Sequence, residues 1–173
     1  SSQPSTLPTS PKVLSKPELA DPSRDVITKP RVPDDVRELA QEASAHFANG
    51  RLDQAAEAYQ AIIKRYPKSL YAWSNLGVVR YQQKRYEEAS QALEEAIKLS
   101  PADGFSYAIL GIVYYQSGKL DDAIQILTRA KALEPDDAQT RNYLGIAAAQ
   151  KGWQESAEKE LRKAIQLTPN YGD

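Results

Sequence analysis

The residues that could do covalent or metal chemistry are few. The chain has one histidine, His46, and no cysteine. That excludes disulfide frameworks, thiolate metal sites and cysteine nucleophiles from this sequence, and one imidazole is too few for a multi-histidine zinc site. Acids pair at Glu87-Glu88, Asp121-Asp122 and Asp136-Asp137. An acid pair can work as general acid and base, but these fall at turns and helix starts, where negative charge suits the helix dipole. Their spacing is not that of a calcium loop. The sequence has no phosphate-cradling glycine loop, and no serine has a base and an acid set out around it. No enzyme, cofactor or metal is expected from this stretch. The remaining chemistry is recognition.

Charge narrows what could be recognised. The 22 Lys+Arg and 23 Asp+Glu leave a net charge of -1. Nucleic acids and anionic membranes reward a basic surplus, so neither is expected as a partner. No run approaches the roughly 20 apolar residues of a membrane span, so no direct membrane insertion is expected here. Methionine is absent, even at position 1. The expectation is a processed chain, or a piece of a longer protein with an anchor or catalytic domain elsewhere.

The elements that position the recognising residues follow from the prolines. Seven lie within residues 1–33, among Ser, Thr and Lys with balanced charge. Proline removes amide donors and blocks helix, so residues 1–35 read as an extended tail or linker. Two uses fit it: a linker, favoured on composition, or a strand that docks in a groove of its own or a neighbouring molecule. The other four, Pro67, Pro101, Pro135 and Pro169, are each 34 residues apart. Gly77, Gly111 and Gly145 keep that period, as do Leu76, Leu110 and Leu144, and Ala55, Ala89, Ala123 and Ala157. Several sets at one period signal a repeat array.

Within residues 70–103, Trp73, Leu76, Gly77 and Arg80 precede Tyr86, Ala89, Leu93, Ala96, Ile97 and Leu99. Both sets have spacings of three and four, the period of amphipathic helices. A polar break, Gln83-Lys84-Arg85, divides them, and in the other units it holds Gly50, Gly118 or Gly152, suited to a left-handed helix close. Each unit is therefore a helical hairpin. A glycine inside a helix costs about 1 kcal/mol against alanine. Gly77, Gly111 and Gly145 are expected to offset this by close helix approach, with Ala89, Ala123 and Ala157 as facing partners. At the start, Asp35 and Glu38 have capping-box spacing.

The order Tyr107-x-x-Leu110-Gly111-x-x-Tyr114, then Ala123, Leu127, Ala130 and Pro135, resembles the tetratricopeptide repeat. The resemblance covers residues 36–171 as units 36–69, 70–103, 104–137 and 138–171. It implies an all-α, right-handed superhelical solenoid of four antiparallel hairpins with a concave inner face. His46 falls at a core tyrosine position of the family, so a packed histidine is expected rather than a general base. Arg80 and Arg141 also replace aromatics, Arg80 pairing with a carboxylate or snorkelling to an edge. No cap helix follows residue 169, and Gly172-Asp173 would open a further unit. The expectation is truncation, or a last hairpin that packs on a partner.

The resemblance further implies that first helices line the groove. Its carried-over positions include Arg37 and Phe47 in the first unit, and Tyr71, Ser74, Asn75, Val78, Tyr81 and Gln82 in the second. Phe105, Ile112, Tyr115 and Gln116 follow in the third, and Asn142, Ile146 and Gln150 in the fourth. This set is aromatic, aliphatic and nearly uncharged. The Gln82, Gln116 and Gln150 row could bond a peptide backbone, and Tyr81 and Tyr115 either grip a ligand or pack between units. The clamp that holds acidic Hsp70 or Hsp90 tails would need cations where this chain has Ala40, Ser44, Asn75, Phe105 and Ile109; only Asn75 fits. The expected function is a protein–protein interaction scaffold for an extended or helical, weakly charged segment. Two alternatives stay open: a substrate-recognition arm of a larger enzyme, and a module that self-associates through its C-terminal hairpin. A bacterial cell-envelope location is slightly favoured over a cytoplasmic one.

Overall fold

The computed structural model describes residues 18–20 and 34–168. Among these, the chain forms eight helices and no strand. They are α1 (Asp34–Ala48), α2 (Leu52–Arg65), α3 (Leu70–Gln82), α4 (Tyr86–Leu99), α5 (Gly104–Gln116), α6 (Leu120–Leu133), α7 (Ala138–Gln150) and α8 (Gln154–Leu167). The first helix starts at Asp34, inside the expected tail 1–35. Asp35 makes no capping box there: its Oδ1 accepts from the neighbouring Val36 amide, and its Oδ2 pairs with Arg65 of α2. Apart from 18–20, the expected tail 1–33 lies outside the described residues, as does Pro169.

Local chemistry closes each hairpin. Gly50, Gly118 and Gly152 sit at φ +71, +80 and +79. The following amide then reaches back to the fifth carbonyl before it: Arg51 to His46 at 2.8 Å, Lys119 to Tyr114 at 2.9 Å, Trp153 to Ala148 at 2.9 Å. This is the Schellman close that the glycines foretold. The second hairpin makes the same bond, Arg85 to Arg80 at 2.9 Å, but with Lys84 at φ 61. A side chain in that conformation costs about 1–2 kcal/mol. Between hairpins, Ser69, Asp103 and Asp137 cap α3, α5 and α7 by accepting from amides three residues on. These caps also keep the 34-residue period.

Packing separates the two helix types. Helices α3, α5 and α7 touch one another in a row, while α2, α4 and α6 each contact their own partner and the first helix of the next hairpin. Helices α3, α5 and α7 are thus covered on several sides and buried through most of their length. The glycines face leucines: a Cβ on Gly77, Gly111 or Gly145 would lie 2.5, 2.5 or 2.7 Å from Cγ of Leu93, Leu127 or Leu161. The carbonyl of Ala157, one of the alanines expected to face them, lies 3.2 Å from the Gly145 Cβ position. The bulkier leucine takes the space because it reaches across from one turn further along the second helix. The core forms two clusters, one around Tyr59, Ile62 and Val79, the other around Leu93, Ile112 and Leu127.

Candidate functional site

The row of first helices carries the expected groove residues, and burial sorts them. Ser74, Asn75, Val78 and Ile112 are wholly buried, and Tyr71 and Asn142 nearly so. Phe47, Tyr81, Gln82, Phe105, Tyr115 and Ile146 are half-buried; Gln116 and Gln150 are exposed. Arg37 points to solvent near Asp34, at 3.9 Å. Val78 and Ile112 are core side chains of the second cluster, and Tyr71 of the first. Their helices are sandwiched, so the inner positions of neighbouring units pack on one another.

Asn75 is the central polar group. Its Oδ1 accepts from the backbone amide of Ala20 at 2.5 Å, and its Nδ2 lies 3.4 Å from the Ala20 carbonyl oxygen, to which it donates. Both groups belong to one residue, so the Asn75 amide reads a stretch of backbone with no helical or sheet partner of its own. Residues 18–20 have no regular secondary structure. Ala20 is 5% exposed, and Leu19 packs against both core clusters, as does Phe47.

The tyrosines and glutamines form a second set of contacts. Tyr115 and Tyr143 meet edge to face, with ring centroids 5.5 Å apart. Gln150 Nε2 donates to the Tyr115 hydroxyl at 2.7 Å. Tyr81 lies 6.1 Å from the Tyr86 ring. Burial, and then the neighbouring Tyr143, push its phenol well above the usual tyrosine range, so it stays a neutral donor. Gln116 and Gln150 are both exposed and engage equivalent tyrosine hydroxyls, Tyr81 and Tyr115, while Gln82 Nε2 is buried without a hydrogen-bond partner. Asn142 Nδ2 is likewise buried with none.

The substituted aromatics have physical accounts. Arg80 Nε pairs with Glu88 at 3.0 Å and its Nη1 donates to Gln83 at 2.9 Å. Trp73 Nε1 donates to the Pro67 carbonyl at 2.8 Å, and Arg141 Nε makes the equivalent bond to Pro135, also at 2.8 Å. Arg141 thus keeps the donor of the ring it replaces. Its Nη1 also reaches Glu160 at 2.8 Å, and Lys131 reaches the same carboxylate at 2.6 Å. Glu160 is buried, and sequence reasoning missed it, because one glutamate on an amphipathic helix looks like its solvated neighbours. His46 is half-buried, and its Nδ1 accepts from Arg51 Nε at 3.0 Å. No group of three His, Cys, Asp or Glu among the described residues is placed to hold a metal ion. None of the described helices is long and apolar enough to cross a membrane.

Comparison with known proteins agrees with this architecture. Family models described as tetratricopeptide repeat match residues 41–104, 81–145 and 138–171. No curated protein sequence matches the chain. Among solved structures, MamA superposes with a TM-score of 0.72 at 25% identity, covering 78% of each chain. MamA from Desulfovibrio magneticus RS-1, beginning at its residue 41, gives 0.70 at 24%, covering 80% of this chain and 78% of that one. The first TPR of Spaghetti (RPAP3), bound to the HSP90 peptide SRMEEVD, gives 0.66 at 20%, covering 68% and 93%. The period, the hairpin closes, the leucine-filled glycines and these matches agree: the chain belongs to the tetratricopeptide-repeat family.

Proposed function

We propose that this protein–protein interaction scaffold binds an extended, weakly charged peptide segment along its inner helices. The observation that carries the reading is the Asn75 amide, which takes both the N–H and the C=O of a single residue, Ala20. A helical ligand would have satisfied those groups internally, so an extended backbone suits the site better. The buried, unpartnered Nδ2 of Asn142 favours the same ligand class, since a peptide carbonyl would satisfy it. Half-buried Tyr81 and Tyr115, on α3 and α5 of the same row, supply broad, rigid contact area. An acidic tail is disfavoured: Ala40, Phe105 and Ile109 stand where cations would be needed.

Selection of random dodecapeptides displayed on phage against residues 1–173 tests this. The expected outcome is enrichment of weakly charged sequences whose affinity falls about thirtyfold on Tyr81→Ala/Tyr115→Ala, the loss typical of hot-spot side chains. Enrichment of acidic sequences, or binding unmoved by that double substitution, would overturn it.

A further inference from the structure

We propose that Leu19–Ala20 is a ligand built into this chain, and that an outside segment enters the inner groove only by displacing it; this rests on the peptide-groove reading above. Asn75 is 0% exposed, and its side chain has no hydrogen bond among the described residues other than the two to Ala20. Asn75 is therefore satisfied only while an extended backbone lies over it. Leu19 anchors that backbone by packing on both core clusters at once, as Phe47 does from α1. Glu18 stays exposed, which keeps the charge of the segment outside the uncharged groove.

The same contacts define what can compete. Ala20 is 5% exposed beside a wholly buried amide, so a much longer side chain at that place has to push its neighbours aside or leave the site. The competing segment is an extended peptide carrying an aliphatic residue followed by alanine or glycine. Residues 21–33 tether Ala20 to α1, giving the built-in ligand a local concentration on the order of millimolar. A weak intramolecular contact therefore excludes weak outside ligands and admits only those that bind tightly or are presented in several copies.

The test uses the full chain and a fluorescein-labelled peptide with the sequence of residues 12–24. Leu19→Asp/Ala20→Arg ejects the built-in segment, and circular dichroism checks that the helices remain. The labelled peptide is expected to bind this variant at least about tenfold more tightly than the unaltered chain. Adding Asn75→Ala should remove that gain. Independently, the Ala20 amide of the unaltered chain should exchange at least about tenfold more slowly than in the free peptide, at every protein concentration. Equal peptide binding to both chains with an unprotected Ala20 amide would overturn the proposal. If the displayed dodecapeptides still bound in a manner dependent on Tyr81 and Tyr115, the groove reading would survive that failure. Ala20 protection that rises with protein concentration would also overturn it, by placing the segment in a neighbouring copy.

Discussion

Glu160 shows how far a single side chain can depart from its apparent role. Its carboxylate lies buried between Lys131 of α6 and Arg141 of α7, tying three helices together. Burial pushes the carboxyl up, and the hydrogen bonds from Lys131 and Arg141 outweigh it, holding it below its usual value of 4.5. A depressed pKa in the folded state means that the group stabilises the fold at neutral pH. That contribution is lost as pH falls through the folded value, below about 4.5. Glu160→Ala leaves two cations beside a buried cavity and is expected to cost about 3 kcal/mol in urea unfolding at pH 7. Against Glu160→Gln, the unaltered chain should lose its stability advantage between pH 4.5 and acid. A constant difference in melting temperature down to pH 3 would contradict this.

The hairpin owes its close packing to one glycine and one leucine. A Cβ at Gly111 would stand 2.5 Å from Leu127 Cγ and Cδ2, and 3.3 Å from the Leu127 amide nitrogen. The backbone contact limits how far the leucine can retreat. Gly111→Ala is therefore expected to destabilise by about 1–3 kcal/mol despite its better helix propensity. Leu127→Ala alone should cost about 2–5 kcal/mol. The double variant should cost clearly less than the sum, because Leu127→Ala vacates the space that the methyl of Gly111→Ala needs. Additive costs in denaturant titration would mean that the two residues do not share one contact. The glycine at this register was legible from the period alone. Its partner was not: the alanines keep the same period as the leucines, and spacing cannot tell which of two neighbouring turns reaches across.

Stacked hairpins make a nearly one-dimensional protein, in which each unit is stabilised by itself and its neighbours. The two core clusters follow from this, with the first centred on α1–α3 and the second on α3–α7. Ile112→Ala, in the second cluster, is expected to cost about 2–5 kcal/mol. Amide exchange measured by mass spectrometry should quicken most in α5 and α7 and least in α1 and α2. Uniform quickening would show that the two clusters open as one. The row of first helices carries the buried amides of Asn75 and Asn142.

Repeat number, hairpin closes and the choice of inner helices can all be read from 173 residues, because they depend on contacts made within one 34-residue period. Glycine conformation, helix spacing and proline stops are local properties, and each repeats often enough to be recognised. The Ala20–Asn75 bonds are of another kind. They join positions 55 residues apart, and Ala20 takes part through its backbone alone. No residue type or spacing encodes such a contact. The same holds for Glu160, whose burial depends on α6, α7 and α8 meeting around it. Tertiary packing settles which polar groups leave water.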